Sequence, residues 1–382
     1  MRILLVDLAQ EWRGGQSQAL FLLRGLRDGG HDVELVSTST SPLAVRAAEQ
    51  KIPVYAAAHA ASRLAAASLI RRLLRDRHFD IVHVNEAHAL TAAWLARAHR
   101  RAPLVIARRV TFPVSRGRVA LARYWAAACI VAVSRAVREQ LLAAGLDPAR
   151  IVVVPDGVEI PPAVSAEARQ EARERWNIAP GERVLALVAS FTAEKGHALL
   201  LEAFAELHRG ATEWRRPRCR LLLAGDGPLR GALERQAAAL GVANAVIFAG
   251  FVKEVGAVYS ACDMFVFPSL HEGGGTSLLG AMAHALPVIA TATGGIAEIV
   301  EDDRNGLLAD ATPQSIAAAA VRLLGAPDLA QRLGVAARET VAARFSACRM
   351  VSDSLAVFGR LAAEDAMGKA DRNRGSRSRA EK

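Results

Sequence analysis

Residues 268–277 read Pro-Ser-Leu-His-Glu-Gly-Gly-Gly-Thr-Ser. The apolar run Met264–Phe267 ends at the proline, a loop presents Glu272, and a helical pattern opens at Thr276 and Ser277. Between them Gly273, Gly274 and Gly275 let the backbone come close to a ligand. Free N–H groups and a helix dipole at such a point suit an anion, a diphosphate above all. Glu272 beside them can accept hydrogen bonds from sugar hydroxyls. The competing reading is a glycine-rich turn with a solvated glutamate, with Thr276 or Ser277 capping the helix rather than donating to phosphate. Lys195 follows another apolar run, Val184–Ala189. An ammonium there can meet phosphate and offset the charge of a leaving group, or Glu194-Lys195-Gly196 is only the start of a helix. Gly14 and Gly15 follow the run Ile3–Leu8, where a side chain would block a bound diphosphate; an ordinary flexible turn is the alternative.

Other residues fit chemistry less well. His83 and His88 flank Asn85 after a short apolar run, and a lone histidine is more often structural than an acceptor-side group. Asp302-Asp303 stands in an acidic run after a helical pattern, which favours a solvated loop over a metal pair. Gly225-Asp226-Gly227 is too short for a dinucleotide fingerprint. Cys129, Cys219, Cys262 and Cys348 are scattered with no CxxC pair, as expected of reduced thiols in the cytoplasm rather than a zinc site.

The elements that must hold these residues alternate. Strands are expected at Ile3–Leu8, Asp32–Ser37, Ile81–Val84, Leu104–Ala107, Cys129–Val133 and Ile151–Val154, with helices at Gln16–Asp28, Leu64–Arg77, Leu90–Arg100 and Arg135–Ala144. After the turn-rich Pro155–Pro162 the alternation restarts. A polar helix lies around Ala166–Trp176, and strands follow at Val184–Ala189, Arg220–Ala224, Val246–Phe248, Met264–Phe267 and Val288–Ala290. Helices fall at Ala198–His208, Leu229–Leu240, Thr276–His284, Ile296–Val300, Ser315–Leu324 and Ser346–Leu361. Strands alternating with helices imply parallel sheets covered on both faces, an α/β fold. At 382 residues two domains are expected. They divide into residues 1–160, an acceptor-side domain, and 161–345, a nucleotide-sugar domain, followed by a helix over 346–367 and a disordered tail over 368–382.

Composition is that of a globular protein, with 52% apolar and 23% charged residues. Asp7 interrupts the first apolar run, so a buried strand fits better than an export signal. The longest uncharged run, Tyr124–Val133, is about half of a membrane span. Residues 1–160 hold 22 Lys/Arg against 13 Asp/Glu, so nine of the ten net positive charges fall there. Clusters such as Arg71-Arg72-Arg75-Arg77, Arg97-Arg100-Arg101 and the run from Arg108-Arg109 to Arg123 read either as solvated helix faces or as a surface drawn to anionic lipid or an acidic acceptor. Nucleic acid is not expected, because aromatic residues are only 5% and no reading motif is present.

Taken together, the motifs resemble the retaining GT-B glycosyltransferases of family 4, the glycosyl transferases group 1. The resemblance runs through Arg13-Gly14-Gly15, Val154-Pro-Asp-Gly-Val158, Glu194-Lys-Gly196, Ala224-Gly-Asp-Gly-Pro228, the 268–290 segment, Gly294-Gly-Ile-Ala-Glu298, Asn305-Gly306 and Arg344-Phe-Ser346, in the order the family has them. It implies two doubly wound domains facing across a cleft, with the donor bound at the carboxyl ends of the strands. The implied catalytic residues are Glu272 and Lys195, the implied donor-binding residues Gly14, Gly15, Ser190, Gly225, Gly273, Gly274, Gly275, Thr276 and Ser277, with His83, Arg108 and Arg109 on the acceptor side. No metal and no cofactor are required. The implied activity is transfer of a hexosyl or related sugar, with retention, from a nucleotide-diphosphate donor to a glycan or lipid-linked acceptor. The setting would be cell-envelope polysaccharide synthesis, in the cytoplasm or peripherally at the inner face of an anionic membrane. A nucleotide-sugar epimerase and a silent nucleotide-sugar-binding scaffold are the rival readings.

Three positions depart from the family pattern. Ser190 replaces the arginine that precedes Glu-Lys-Gly, and Arg109 stands where many members carry a histidine. Gly280 replaces the second carboxylate of Glu-x7-Glu, which in the family holds the donor ribose. Nothing in the local sequence favours glycine inside that helix. The expectation is therefore weak discrimination between ribo- and deoxyribonucleotides, with Gly280→Glu restoring it.

Overall fold

The computed structural model describes residues 1–57, 63–115, 117–213 and 218–380; Arg116, part of the basic run noted above, lies outside them. The chain divides into two compact units, residues 1–157 together with 347–382, and residues 158–346.

In the first unit the order is β1 (Arg2–Val6), α1 (Gly14–Asp28), β2 (Asp32–Thr38), α2 (Pro42–Glu49), β3 (Val54–Ala57), α3 (Arg63–Asp76), β4 (Ile81–Val84) and α4 (Ala87–Leu95). It continues with β5 (Leu104–Arg108), α5 (Arg118–Trp125), β6 (Cys129–Ala132), α6 (Arg135–Ala143) and β7 (Ile151–Val153). The seven strands are all parallel in the order β3-β2-β1-β4-β5-β6-β7. Strand alternation sorts the side chains onto two faces. Leu4, Val6, Val82 and Ile106 meet α3, α4 and α6 on one face, through residues such as Ile70, Leu90 and Leu141. Ile3, Leu5, Ile81 and Val105 meet Leu23 and Leu26 of α1 on the other.

That second face is completed by the last helix of the chain, α14 (Ala347–Ala380), whose Phe358 and Leu361 are buried in it. The approach to α1 is close enough that a Cβ on Gly25 would lie 2.6 Å from Val351 Cγ2. The helix expected over 346–367 therefore belongs to the first unit and continues past 367, where a disordered tail was expected. The ion pairs Arg360–Glu364 and Asp365–Lys369, each one turn apart, carry it beyond the last buried residue, and no proline stops it. Residues 381–382 lie outside the described part.

The second unit runs α7 (Ala166–Glu174), β8 (Arg183–Val188), α8 (His197–Glu213), β9 (Cys219–Ala224), α9 (Arg230–Ala239), β10 (Val246–Gly250) and α10 (Gly256–Ala261). It closes with β11 (Met264–Phe267), α11 (Thr276–Ala283), β12 (Val288–Thr291), β13 (Leu307–Ala309), α12 (Pro313–Gly325) and α13 (Pro327–Arg344). Its six parallel strands have the order β10-β9-β8-β11-β12-β13, around a core that includes Phe191, Phe204, Phe265 and Phe267. The helix expected at Ile296–Val300 is a 3-10 turn over Gly294–Glu298. In each sheet the winding direction reverses once, between β1 and β4 and between β8 and β11. Open α/β sheets bind ligands at such reversals, outside the carboxyl ends of the strands. Among the described residues no helix is long and apolar enough to cross a membrane.

Candidate active site

At the β8/β11 reversal two loops are stitched together. The segment after β8 makes a 3-10 turn over Ala193–Lys195 and closes on Gly196, whose φ is +70°. A Cβ there would lie 2.0 Å from the Pro268 carbonyl oxygen, so only glycine lets this loop reach the one after β11. The Leu270 N–H and the Ser269 hydroxyl both donate to the Glu194 carbonyl, at 2.8 and 3.1 Å. Thr291 and Thr293 donate to the Ser269 carbonyl at 2.6 and 2.7 Å, fixing the loop from its far side.

This framework holds Lys195 against Glu272. The ammonium donates to Oε2 at 2.7 Å, with both side chains largely covered. The other carboxylate oxygen accepts the Gly273 N–H at 3.1 Å, and the Glu272 carbonyl accepts from Gly295. Gly275, at φ +59°, begins α11 with no side-chain cap and no acidic residue in its first turn. A Cβ at Gly275 would meet Ile296 Cδ1 at 2.7 Å. Thr276 and Ser277 thus open the helix without capping it, and no side chain caps the N–H groups of its first turn. The structure brings Lys195, Glu272 and residues 273–277 together.

Ser190 and Gly225 have local roles. The Ser190 hydroxyl lies 3.4 Å from that of Thr192, and its carbonyl accepts the Thr192 N–H. Gly225 has φ +144°, and a Cβ would fall 1.9 Å from the Ala189 carbonyl oxygen. The backbone approach of two strands explains this glycine without any ligand. Gly280 also has a reason invisible in the local sequence. A Cβ on it would lie 2.7 Å from the Tyr259 hydroxyl and 2.9 Å from the ring, so α10 already fills the place where a glutamate would start. Asp302 and Asp303 make no metal pair. Asp302 accepts the Leu308 N–H, and Asp303 is bound by Arg322 and Arg332, which hold its carboxyl below the usual range. Among the described residues no group of His, Cys, Asp and Glu could hold a metal ion.

At the β1/β4 reversal of the first unit a buried polar chain is drawn out. Gly14 and Gly15 are the first two residues of α1, not a loop. Asp7, fully buried, accepts from Ala9 N, from Gln16 Nε2 at 3.0 Å and from Asn85 Nδ2 at 2.6 Å. Asn85 Nδ2 also donates to the Gly15 carbonyl, while its Oδ1 accepts from Arg109, which is paired with Asp156 at 2.9 Å. Glu86 caps α4 by accepting backbone N–H groups of Leu8, His88 and Ala89; burial nonetheless pushes its carboxyl above the usual range.

Arg108 donates to the Phe112 carbonyl and the Tyr124 hydroxyl, holding the segment before α5. His83 departs from expectation. It points into the core against Phe358, 3% exposed and with neither ring nitrogen hydrogen-bonded, and burial holds it neutral by pushing its pKa down to about 3. His88 is exposed and accepts from Arg63. Sequence reasoning passed over Asp7, Asn85 and Asp156 as site residues; the signal was present for the first two, which directly follow β1 and β4, while Asp156 lies three residues beyond β7.

Known proteins place this architecture. The profile of the glycosyl transferases group 1 matches residues 168–340, and that of glycosyltransferase family 4 matches residues 12–160. The D-inositol 3-phosphate glycosyltransferase of Kineococcus radiotolerans is 32% identical over 294 residues, covering 69% of this chain and 67% of its own length. A GDP-mannose-dependent phosphatidylinositol monomannoside mannosyltransferase of Mycolicibacterium smegmatis is 32% identical over 297 residues, 71% of this chain and 74% of that protein. Anabaena HepE, solved with UDP and glucose, superposes with a TM-score of 0.83 at 21% identity, over 94% of this chain and 99% of that one. With two parallel sheets, the GT-B arrangement and both family profiles in sequence order, the chain belongs to the glycosyl transferases group 1, family 4.

Proposed function

We propose that this chain transfers a sugar from a nucleotide-diphosphate donor to a glycan or lipid-linked acceptor, with retention at the anomeric carbon. The observation that carries the donor half is the Lys195–Glu272 pair at the open, uncapped start of α11. On donor binding the ammonium turns to the diphosphate and Glu272 to a sugar hydroxyl, with the N–H groups of residues 274–277 completing the anion site. Solved neighbours holding UDP and UDP-glucose favour the same donor class.

Among the described residues brought together with Lys195 and Glu272, no side chain is assigned as an enzymic nucleophile. In a front-face transfer the sugar–phosphate C–O bond breaks, the acceptor oxygen bonds the same carbon from the same side, and its proton passes to the leaving phosphate oxygen. Lys195 and the helix end carry the charge that a metal carries in other transferases. A lipid-linked acceptor accords with exposed apolar residues among arginines on the first unit: Leu64 is 71% exposed, Val119 69% and Phe112 54%, and Arg63 and Arg118 are the sequence neighbours of the first two. The relative named for phosphatidylinositol monomannoside points the same way.

The test is a thermal-shift panel of nucleotide sugars on the wild type, followed by transfer and hydrolysis assays with the donor that stabilises the chain, since a ligand stabilises in proportion to its affinity. A donor that binds but is neither transferred nor hydrolysed sinks the enzymatic reading. A donor converted to its epimer without an acceptor sinks the transferase in favour of an epimerase.

A further inference from the structure

The polar chain at the carboxyl end of the first sheet ends on a guanidinium that is only partly used. Arg109 directly follows β5, and its side chain is 18% exposed. Nε donates to Asp156 at 2.9 Å and Nη1 to Asn85 Oδ1 at 2.5 Å. Both acceptors are buried, and Asn85 is itself fixed to Asp7 and to the Gly15 carbonyl. A guanidinium carries five N–H hydrogens in one plane. One on Nη1 and two on Nη2 have no partner among the described residues. Nη2, which makes no hydrogen bond among the described residues, is not among the buried atoms lacking a partner, so its two donors face solvent. Space is open nearby, because a Cβ on Gly15 would touch only Asn85.

Among the described residues the local charges leave these donors without a protein acceptor. Asp7 is saturated by Ala9, Gln16 and Asn85, and Glu86 by three backbone N–H groups. Arg108 is spent on Phe112 and Tyr124. What remains is a rigid cationic fork whose end matches two oxygens of a carboxylate or phosphate. A flexible lysine would lose side-chain entropy on binding such a group; Arg109 has already been ordered by its two partners.

We propose that Arg109 recognises an anionic oxygen group, a phosphate or a carboxylate, carried by the acceptor that is glycosylated, with Asn85 and Asp156 as its positioning residues. This rests on the transferase reading. The acceptor is accordingly an acidic molecule, and the reaction that supplies it has already installed the acid group.

Methyl phosphate and glucuronate, titrated by calorimetry into the full chain saturated with whichever of UDP, GDP or ADP binds, test this with the donor cations occupied. The wild type is expected to bind at least one of the two probes, and which one binds identifies the acid group. Arg109→Met should weaken that probe about tenfold or more, the range for a lost hydrogen bond to a charged group. Arg109→Lys, which keeps the charge and loses the fork, should recover only part. If Arg109→Met melts early because Asp156 loses its ion pair with Arg109, Arg109→Met with Asp156→Asn removes both charges and takes its place. Probe binding that is equal in the wild type and the methionine variant, or absent from the wild type, overturns the proposal while nucleotide binding leaves the donor reading standing. If none of the three nucleotides binds, the donor reading fails and the acceptor role of Arg109 falls with it.

Discussion

Adding one methyl group at Gly280 probes how the donor side is built. Tyr259 on α10 is 6% exposed, and its hydroxyl donates to the Ser277 carbonyl in the first turn of α11 at 2.9 Å. Its ring is held between Phe265 and His284, with centroids 5.8 and 4.8 Å away, so it has little room to retreat. In Gly280→Ala the new carbon would sit 2.7 Å from the hydroxyl oxygen and 2.9–3.0 Å from two ring carbons. Helix propensity returns about 1 kcal/mol. Overpacking costs about 1–3 kcal/mol, and displacing the hydroxyl costs about another 1 kcal/mol for its hydrogen bond. The net loss is about 1–3 kcal/mol, or roughly 2–10 °C in melting temperature for a unit of this size. Tyr259→Leu removes the obstacle, so in that background Gly280→Ala should be neutral or stabilising by up to about 1 kcal/mol.

Calorimetric melts of the four proteins give the coupling between the sites, expected at about 1 kcal/mol or more. Additive effects, or an alanine variant as stable as the wild type, would show that Tyr259 does not dictate this glycine. The same geometry reverses the expectation drawn from sequence. Gly280→Glu should destabilise the chain instead of tightening nucleoside-diphosphate binding, and a carboxylate at 280 becomes informative only after Tyr259 is trimmed.

Glu272→Ala should cut transfer at least about a hundredfold, as expected for a contact worth roughly 2.7–4 kcal/mol in the transition state; near-normal turnover in a steady-state assay removes Glu272 from the site. Lys195→Ala should act alike while lowering stability by no more than about 1 kcal/mol, because its pair is neither fully buried nor networked; a collapse of the unliganded melting temperature would assign it a structural role instead. His83 is held neutral, its folded pKa below the unfolded value, so its share of stability is complete above pH 6.5 and is lost as pH falls toward about 3. Between pH 6.5 and 5, denaturant melts of the wild type should lose about 1.5–2 kcal/mol that His83→Leu does not; equal slopes in the two proteins would refute the assignment. Vesicles rich in phosphatidylserine should bind the chain at low salt and release it as salt rises, and Phe112→Ser with Val119→Ser should weaken the binding; salt-insensitive or absent co-sedimentation rules out that surface.

Elements with strong periodicity and ends marked by polar residues were legible in the sequence, as β1, β4, β11 and α11 show. The ones passed over have reasons. β3 and β13 have only four and three residues, too few to show a pattern. α5 carries arginines among alternating apolar residues and buries only Tyr124, so it lacks a clear apolar stripe. In the candidate site, Lys195, Glu272 and the 273–277 turn could be read because their chemistry is local. Gly280 could not, because its cause is a tyrosine twenty-one positions away in sequence. His83 looked available because it neighbours Asn85, yet strand alternation turns it to the opposite side, beneath a helix from the far end of the chain.

The placement of α14 also sets an order on the ribosome. Residues 158–346 form a contiguous unit that can close while later residues are still being added. The first unit, although it begins at Met1, has one face of its sheet only partly covered, by α1, until Phe358 and Leu361 have left the exit tunnel. At about 5–20 residues per second, the nearly 200 residues that separate β7 from that helix correspond to roughly 10–40 seconds of nascent chain with that face incompletely covered. Half-made copies of this protein are therefore a natural client for a chaperone that binds β-sheet surfaces, and a stop codon between residues 347 and 358, which removes Phe358 and Leu361, should harm the domain made first rather than the one made last.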